Sequence, residues 1–425
     1  MKVRLAYGRE GLWIELPDDL KVKIIEPRFL PGLPEEEKAI RKALREPIAS
    51  PPLRELVRSS DTVAIVFSDI TRPMPNRKVL PIILEELSHV PRQNILLINA
   101  LGAHRPQTRE ELEEMLGPDI VSNYAILQHD CNDKSTLQYL GETSFGHPAW
   151  VNKAYMEASV KILTGFIEPH FFAGFSGGPK AVLPGIAGLD TILLNHGAEM
   201  IDDPRATWGV TEGNPIWEEI REVAARTQPS FLVNVTLNRE KQITGVFAGD
   251  VWKAHAEGVK FAASSAMVEV EEPFDIVITT NSGYPLDINL YQAVKGMSVA
   301  ARIVKEGGSI IIAAECKDGI PDHGEYKNIL KMASSPAELL RIIRQPGFLV
   351  QDQWEAQIQA LIQLKADVYV KSSYLTDRQI EEALLKPCRS IEETLEELLA
   401  RYGPEARVCI LPEGPQTIPY LRGAV

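Results

Sequence analysis

Three short apolar runs in the first half of the chain each end in side chains able to move a proton or hold an anion. TVAIVF (62–67) leads into SDITRPMPNR, which carries Asp69 and Arg72. NILLINA (94–100) leads into LGAHRPQ with His104, and VKILTGF (160–166) into IEPHFFAG with His170. Imidazole is a base suited to neutral pH, and guanidinium presents a two-pronged donor to a carboxylate. Singly, each has an ordinary explanation. Asp69 fits an Asx turn or helix cap, Arg72-Pro73 a solvated turn, and a lone His after a strand is more often structural than catalytic. Their recurrence after three successive strands favours proton transfer on an anionic substrate.

The stretch after His170, GFSGGPKAVLPG, invites comparison with a P-loop. That loop needs a second Gly before its Lys and a hydroxyl after it. Here Pro179, which has no N–H, stands in the first place and Ala181 in the second, so a nucleoside triphosphatase is not expected. A phosphate-holding nest of Ser176, Gly177 and Gly178 stays open. Lys180 lies outside any charged run, as a solvated loop charge or as a nucleophile or tether. His196, in ILLNHGAEM, follows an apparent helix with no paired-His spacing, so a self-contained zinc site is not indicated. Gln292 and Lys295 in NLYQAVKGM are three apart and share a helix face, either as solvated surface or as an amide and a cation aimed together. Trp354, opening WEAQIQALIQL, reads by itself as packing.

The elements that must position these residues alternate between strand and helix. The opening VRLAYG and LWIELP flank a Gly-containing turn and suggest a hairpin. KVLPIILEEL and TREELEEML read as helices after the first two buried strands, the second with a Thr108–Glu111 capping box. FDIVITTNS (274–282), GSIIIAAE (308–315), ADVYVKSS (366–373) and RVCILPEG (407–414) repeat the strand pattern, with helices through Ala300, around 336–345 and over 353–364. The expectation is an α/β protein of two domains, each a mostly parallel sheet flanked by helices, with the active site in the cleft between them. The break at EVEEPFD (269–275) gives a first, cofactor-binding domain over 1–268 and a second over 272–402, with 404–425 returning to complete the first. In such sheets ligands gather beyond the carboxyl ends of the strands, so the three reactive loops should share one edge.

At 425 residues the chain is long enough for two proper cores. A net charge of -13 disfavours a nucleic-acid or anionic-membrane partner. Four scattered Cys with no CxxC pair suggest neither a disulfide framework nor a thiolate zinc site. With no apolar signal region in MKVRLAYGREGLWIELPD, a cytoplasmic setting is expected.

Taken together these residues resemble the nickel-dependent lactate racemase family, with its broader 2-hydroxyacid racemases and epimerases. SDITRPMPN is similar to the family's Asp-Leu-Thr-Arg-Pro loop, with Ile70 for the usual Leu; GAHR resembles its first histidine motif, and EPHFFAGFSGGPKAVLPG its second-histidine and lysine motif. LLNH, YQAVKGM and Trp354 follow in order, and the resemblance spans essentially the whole chain. It implies an isomerase that inverts C2 of a 2-hydroxyacid. The implied cofactor is a nickel pincer nucleotide, a pyridinium mononucleotide holding nickel through two sulfur arms and a ring carbon. Lys180 would be its covalent tether and His196 the protein's nickel ligand. Asp69, Ile70, Thr71 and Arg72, with Ser176, Gly177 and Gly178, would contact cofactor. Arg72, Gln292, Lys295 and Trp354 would hold substrate. His104 and His170 would exchange the hydroxyl proton on two sides while the C2 hydrogen moves as hydride through a 2-oxoacid. Proteins that make and deliver the cofactor are implied partners, and a homo-oligomer is left open.

Two other readings stand beside this one. A nicotinamide-dependent 2-hydroxyacid dehydrogenase needs a glycine-rich dinucleotide turn after an early strand, which FSDITRPMP lacks. A non-catalytic cofactor-binding protein has no use for both His104 and His170.

Overall fold

The computed structural model describes residues 1–18, 20–322 and 324–423. It begins with the expected hairpin, β1 (Lys2–Leu5) and β2 (Leu12–Glu15), then a short strand β3 (Val22–Ile24). The strand-helix alternation starts with β4 (Val63–Ser68), helix α1 (Asn76–Glu86), β5 (Ile95–Ala100), α2 (Arg109–Leu116), β6 (Ala125–Gln128) and β7 (Val160–Phe166). α2 opens with the full Thr108–Glu111 capping box. Next come α3 (Leu189–Asn195), α4 (Ala198–Asp202), α5 (Pro215–Arg226), β8 (Phe231–Leu237), β9 (Ile243–Gly249) and α6 (Val251–Ala266). The later part holds β10 (Phe274–Thr280), α7 (Leu290–Ala301), β11 (Val304–Ala313), α8 (Tyr326–Leu330), α9 (Pro336–Ile343), α10 (Gln353–Lys365), β12 (Ala366–Lys371), β13 (Lys386–Pro387) and β14 (Val408–Leu411).

Two six-stranded sheets result, as the α/β expectation requires. The first runs β9-β8-β7-β4-β5-β6, parallel except for the β8–β9 pair. The second runs β13-β12-β11-β10-β14-β3 and is parallel throughout. Each sheet is covered by its own core. Ile65, Phe67, Leu97, Ile162 and Val233 pack with Leu80 and Ile83 of α1 in the first. Leu5 and Ile14 of the hairpin pack with Ile276, Ile278, Ile311, Leu395 and Ile410 in the second. A fully buried aliphatic side chain contributes about 1.5–3 kcal/mol, so the hairpin is bound firmly to that second core.

The domain limits differ from those read in the sequence. One compact unit is Phe29–Asn195 with Arg205–Ser265; the other is Met1–Arg28, His196–Pro204 and Ala266–Val425. The segment 404–425, whose last two residues lie outside the described ones, does not complete the first sheet: β14 inserts beside β10 in the second. β3 then pairs with β14, so the first 28 residues also join the second unit. The reason is the hydrophobic pattern. Val408, Cys409, Ile410 and Leu411 are all buried, and a strand apolar on both faces needs a central sheet position. Among the described residues, no helix is long and apolar enough to cross a membrane.

Candidate active site

The order β7-β4-β5 places the ends of the three reactive strands side by side on one edge. The chain grows from β4 to β5 in one direction and from β7 to β8 in the other, so the switch in strand order falls between β4 and β7, where such sheets bind ligands. Asp69 leaves β4 with its carboxylate buried at 2% exposure. Thr71 Oγ1 donates to Asp69 Oδ1 at 2.8 Å, and the Arg72 N–H closes the turn onto the Asp69 carbonyl at 3.1 Å. The other oxygen, Asp69 Oδ2, meets His104 Nδ1 at 2.7 Å. A carboxylate there draws the ring proton to Nδ1 and leaves Nε2 as the basic nitrogen. Ile70 is half-buried, whereas Thr71, Arg72 and His104 are exposed.

The loop bearing His104 is pinned at both ends. The Gly102 N–H donates to the Gly185 carbonyl at 2.9 Å, tying it to the segment that follows Lys180. Gln107 and Gln128 exchange two bonds, of 2.6 and 2.8 Å, at the far end. His170 is half-buried among Phe171 and Phe172, with the Phe172 ring edge-on at 4.6 Å. The Ala173 N–H donates to His170 Nδ1 at 3.3 Å, which places the ring proton on Nε2. The two imidazoles are thus held in opposite tautomers.

Lys180 sits on a single tight turn, Gly178–Ala181, with Nζ 5.7 Å from the Phe172 ring centre. Burial pushes its ammonium down to about 7, and the Arg72 guanidinium adds repulsion in the same direction. A lysine with much of its population neutral at pH 7 is a nucleophile, which a solvated loop charge is not. The spacing with Arg72 and Phe172 joins Lys180 to the same edge as both histidines.

The glycines before Lys180 serve a different purpose from the one expected. The Gly178 N–H donates to Asn234 Oδ1 at 2.7 Å, the Ser176 N–H to the Glu168 carbonyl at 2.8 Å, and Ser176 Oγ to the Phe166 carbonyl at 2.9 Å. The Ser176 and Gly178 amides are thus already engaged within the protein, whereas a phosphate nest would need them for its ligand. Glycine is required here for packing. A Cβ on Gly177 would fall 2.7 Å from Asn234 Oδ1, and one on Gly178 2.5 Å from the His255 ring. His255, on α6, stacks on Trp217 and meets the Ser176 carbonyl through Nε2 at 3.0 Å. Burial drops its basicity to about 4, so it is a neutral donor that braces the loop. Neither Asn234 nor His255 was singled out in the sequence. The readable signal was a lone polar residue amid the apolar faces of FLVNVTL and VWKAHAEGV.

A second polar cluster lies in the other unit, on α7 and α10. Asn289 caps α7, accepting from the Gln292 N–H, and one turn on, Lys295 Nζ donates to Gln292 Oε1 at 2.7 Å. The amide and the cation do share a face. Trp354 is half-buried; its Nε1–H donates to the Tyr291 hydroxyl at 3.3 Å, which donates to Asp352 Oδ1 at 3.4 Å. His196 meets Trp354 edge-on at 5.3 Å between ring centres. It belongs to this unit because α4 is fastened to α10: Gln357 Nε2 donates to the Ala198 carbonyl and to Asp202 Oδ1, and Arg344 grips Asp202 with two bonds. By its contacts His196 thus groups with this unit, although it lies within 1–268 in the sequence. Among the described residues no group of three His, Cys, Asp or Glu is arranged to hold a metal.

Sequence reasoning passed over Glu355. It is fully buried beside Trp354 on α10, and neither carboxyl oxygen has a hydrogen-bond partner among the described residues. Desolvation pushes its carboxyl up to about 8 against the pull of Lys295, with Asp352 adding a smaller push. The signal was present: Gln353, Glu355, Gln357 and Gln359 are all fully buried on a helix with no clean apolar stripe.

Comparison with known proteins agrees along the length of the chain. Residues 7–209 match the lactate racemase N-terminal domain and 269–418 the lactate racemase C-terminal domain. The lactate racemase of Thermoanaerobacterium thermosaccharolyticum is 35% identical, with 98% of each chain covered. That of Lactiplantibacillus plantarum is 40% identical, over 89% of this chain and 90% of its own. The solved apoprotein of the Thermoanaerobacterium thermosaccharolyticum enzyme superposes with a TM-score of 0.91 at 34% identity, covering 99% of this chain and 100% of the other. A Thermotoga maritima protein at 18% identity and a TM-score of 0.69, over 93% of this chain and 100% of its own, shares the fold. With two domain models spanning most of its length and full-length relatives at this identity, the chain belongs to the lactate racemase family and is an isomerase of the racemase type.

Proposed function

We propose that this protein interconverts the two configurations at C2 of lactate, as the names of its relatives suggest, by proton exchange at the substrate hydroxyl and hydride exchange at C2. The observation that carries the reading is the pairing, at one sheet edge, of an imidazole held by a buried carboxylate with a lysine driven towards its neutral form. Removing the C2 hydrogen as a proton would place a second negative charge beside the carboxylate, so a route through a 2-oxoacid is favoured.

His104, with Nε2 basic, takes the hydroxyl proton of one enantiomer. His170, at the end of β7, takes the matching part for the opposite enantiomer, which requires its Nδ1 contact with the Ala173 N–H to open so that Nδ1 carries the ring proton and Nε2 is free to accept. Asp69 holds His104 in register through its Nδ1. Arg72 and Lys295 balance the substrate carboxylate, Gln292 keeps Lys295 aimed, and Trp354 walls the pocket.

The chain's residues suit a tethered organometallic cofactor. Lys180 has the amine chemistry for a covalent link, and His196 is buried against Trp354; among the described residues no group of three His, Cys, Asp or Glu could hold a metal, so a metal at His196 would draw other ligands from an organic group. A nickel pincer nucleotide linked to Lys180 and ligated by His196 would supply a hydride acceptor for C2. Its loading calls for proteins that make and deliver it, and the four buried thiols suit a cytoplasmic setting.

The test is chiral analysis of single-enantiomer L-lactate with no added nicotinamide, on protein co-expressed with cofactor-making proteins. The expected outcome is loss of optical purity, about one nickel per chain by the single-ligand reading, and a mass adduct absent from Lys180→Ala. Turnover that requires NAD, or active protein lacking both nickel and adduct, would overturn the proposal.

A further inference from the structure

Glu355 has no task in the chemistry above, yet its position is costly. A carboxyl removed from water without a hydrogen bond is among the least favourable burials a fold can make. It is held in the interior of unit Met1–Arg28, His196–Pro204 and Ala266–Val425, on α10, which packs against α7 and α8. The groups that face it are Lys295 and Tyr291 from α7, Asp352 from the turn before α10, and Tyr326 from α8. Among the described residues, several other charges on neighbouring elements have partners of their own. Asp202 of α4 is taken by Gln357 and Arg344, Glu338 and Arg341 of α9 pair with each other, and Asp367 of β12 is held by Lys386 and Arg401. Among the described residues Lys295 is the cation that acts on Glu355, and it is also the cation assigned to the substrate carboxylate.

We propose that Glu355 is an internal counter-ion that competes with the substrate for Lys295: neutral, it leaves the Lys295 charge to the substrate carboxylate, and ionised, it takes that charge and weakens anion binding. Glu355 is thus a positioning residue acting through Lys295, and the proposal rests on the carboxylate role given to Lys295 above. The proton balance is simple. Where Glu355 is ionised, a bound anion at Lys295 drives one solvent proton onto the Glu355 carboxylate; where it is already protonated, binding takes up none.

Burial against a single cation keeps the carboxyl protonated through neutral pH, so the competition belongs to the alkaline side. The protein loaded with cofactor would be assayed from about pH 6.5 to 9.5, recording KM and kcat for L-lactate separately, with proton uptake on L-lactate binding measured by calorimetry in two buffers. KM is expected to rise about tenfold per pH unit above the transition, with kcat unaffected by it and uptake approaching about one proton. Glu355→Gln should match the parent at pH 7 and lose both the alkaline rise in KM and the uptake. A Glu355→Gln protein that keeps the parent's alkaline profile overturns the proposal. If Glu355→Gln does not fold, the parent alone decides, since no alkaline uptake overturns it equally. Lys295→Ala separates the two ideas. Unchanged KM in Lys295→Ala removes the carboxylate reading itself, whereas raised KM there with an unaltered pH profile in Glu355→Gln removes only the role of Glu355.

Discussion

His104 Nδ1 lies 2.7 Å from Asp69 Oδ2, an exposed imidazole held by a carboxylate that the fold has buried. The carboxylate chooses the tautomer. Asp69→Asn puts an amide there that can donate to Nδ1 and so hold the proton on the wrong nitrogen. We expect kcat for L-lactate to fall by about 10²–10⁴ with KM little changed. Chiral chromatography of the progress curve measures this, and a rate within about twofold of the parent would show that the pair is structural.

Lys180 should betray its environment to an amine-reactive label. Its folded value is lowered, so the proton leaves as pH rises through about 7, and the reactive neutral amine is present above that point. Mass mapping of cofactor-free protein should give a labelling midpoint near 7 for Lys180. Arg72→Ala, which removes a repelling charge, should move that midpoint upward. A midpoint at the ordinary lysine value in the parent would contradict the burial argument.

Substitution at Gly178 tests the packing account of the glycine loop. Gly178→Ala adds a methyl 2.5 Å from the His255 ring at a φ of +53°. A loss of about 1–3 kcal/mol in urea unfolding is expected. Adding His255→Ala should recover part of that loss, because the clash goes while the backbone strain stays. No recovery would place the whole effect in the backbone.

Removing the cation on α7 should act on binding. Lys295→Ala is expected to raise KM for L-lactate by about 10- to 100-fold, the range for one charge-assisted hydrogen bond. The change in kcat should be smaller. An unaltered KM would take Lys295 out of the substrate site.

Glu355 also marks the stability of the fold. The unfolded chain releases this proton near 4.5, while the folded one keeps it to about 8. Between those values the native state binds more protons than the unfolded one, so stability falls as pH rises. Glu355→Gln lacks that dependence. Its melting temperature should therefore gain on the parent's from about pH 5 to pH 8 by calorimetry, and a constant gap would show that the carboxyl is hydrated or paired.

Much of the fold and of the site could be read before any coordinates. TVAIVF, NILLINA and VKILTGF are largely apolar on both faces, which reads as central parallel strands whose carboxyl ends share one edge. That local logic put Asp69, His104 and His170 at neighbouring strand ends of one sheet, and helical periodicity put Gln292 beside Lys295. The motif spanning EPHFFAGFSGGPKAVLPG drew attention to Lys180 as a lysine outside any charged run, and its resemblance to the family motif implied the tether.

Tertiary structure decided what depends on distant partners. Whether RVCILPEG closed the first sheet or entered the second turned on which strand offered it a buried neighbour, and β10 did. His196 joined α10 because Gln357 and Arg344 fasten Asp202, contacts separated by well over a hundred residues. The glycines before Lys180 pack against Asn234 and His255, and only the packed loop reveals it. Glu355 is the sharpest case. Sequence gives a helix with glutamate and glutamines, which water would ordinarily claim; burial removes the water, and the charge of Lys295 then becomes what governs it. Periodicity along a chain reports which faces are apolar, but solvation and electrostatics belong to positions in space.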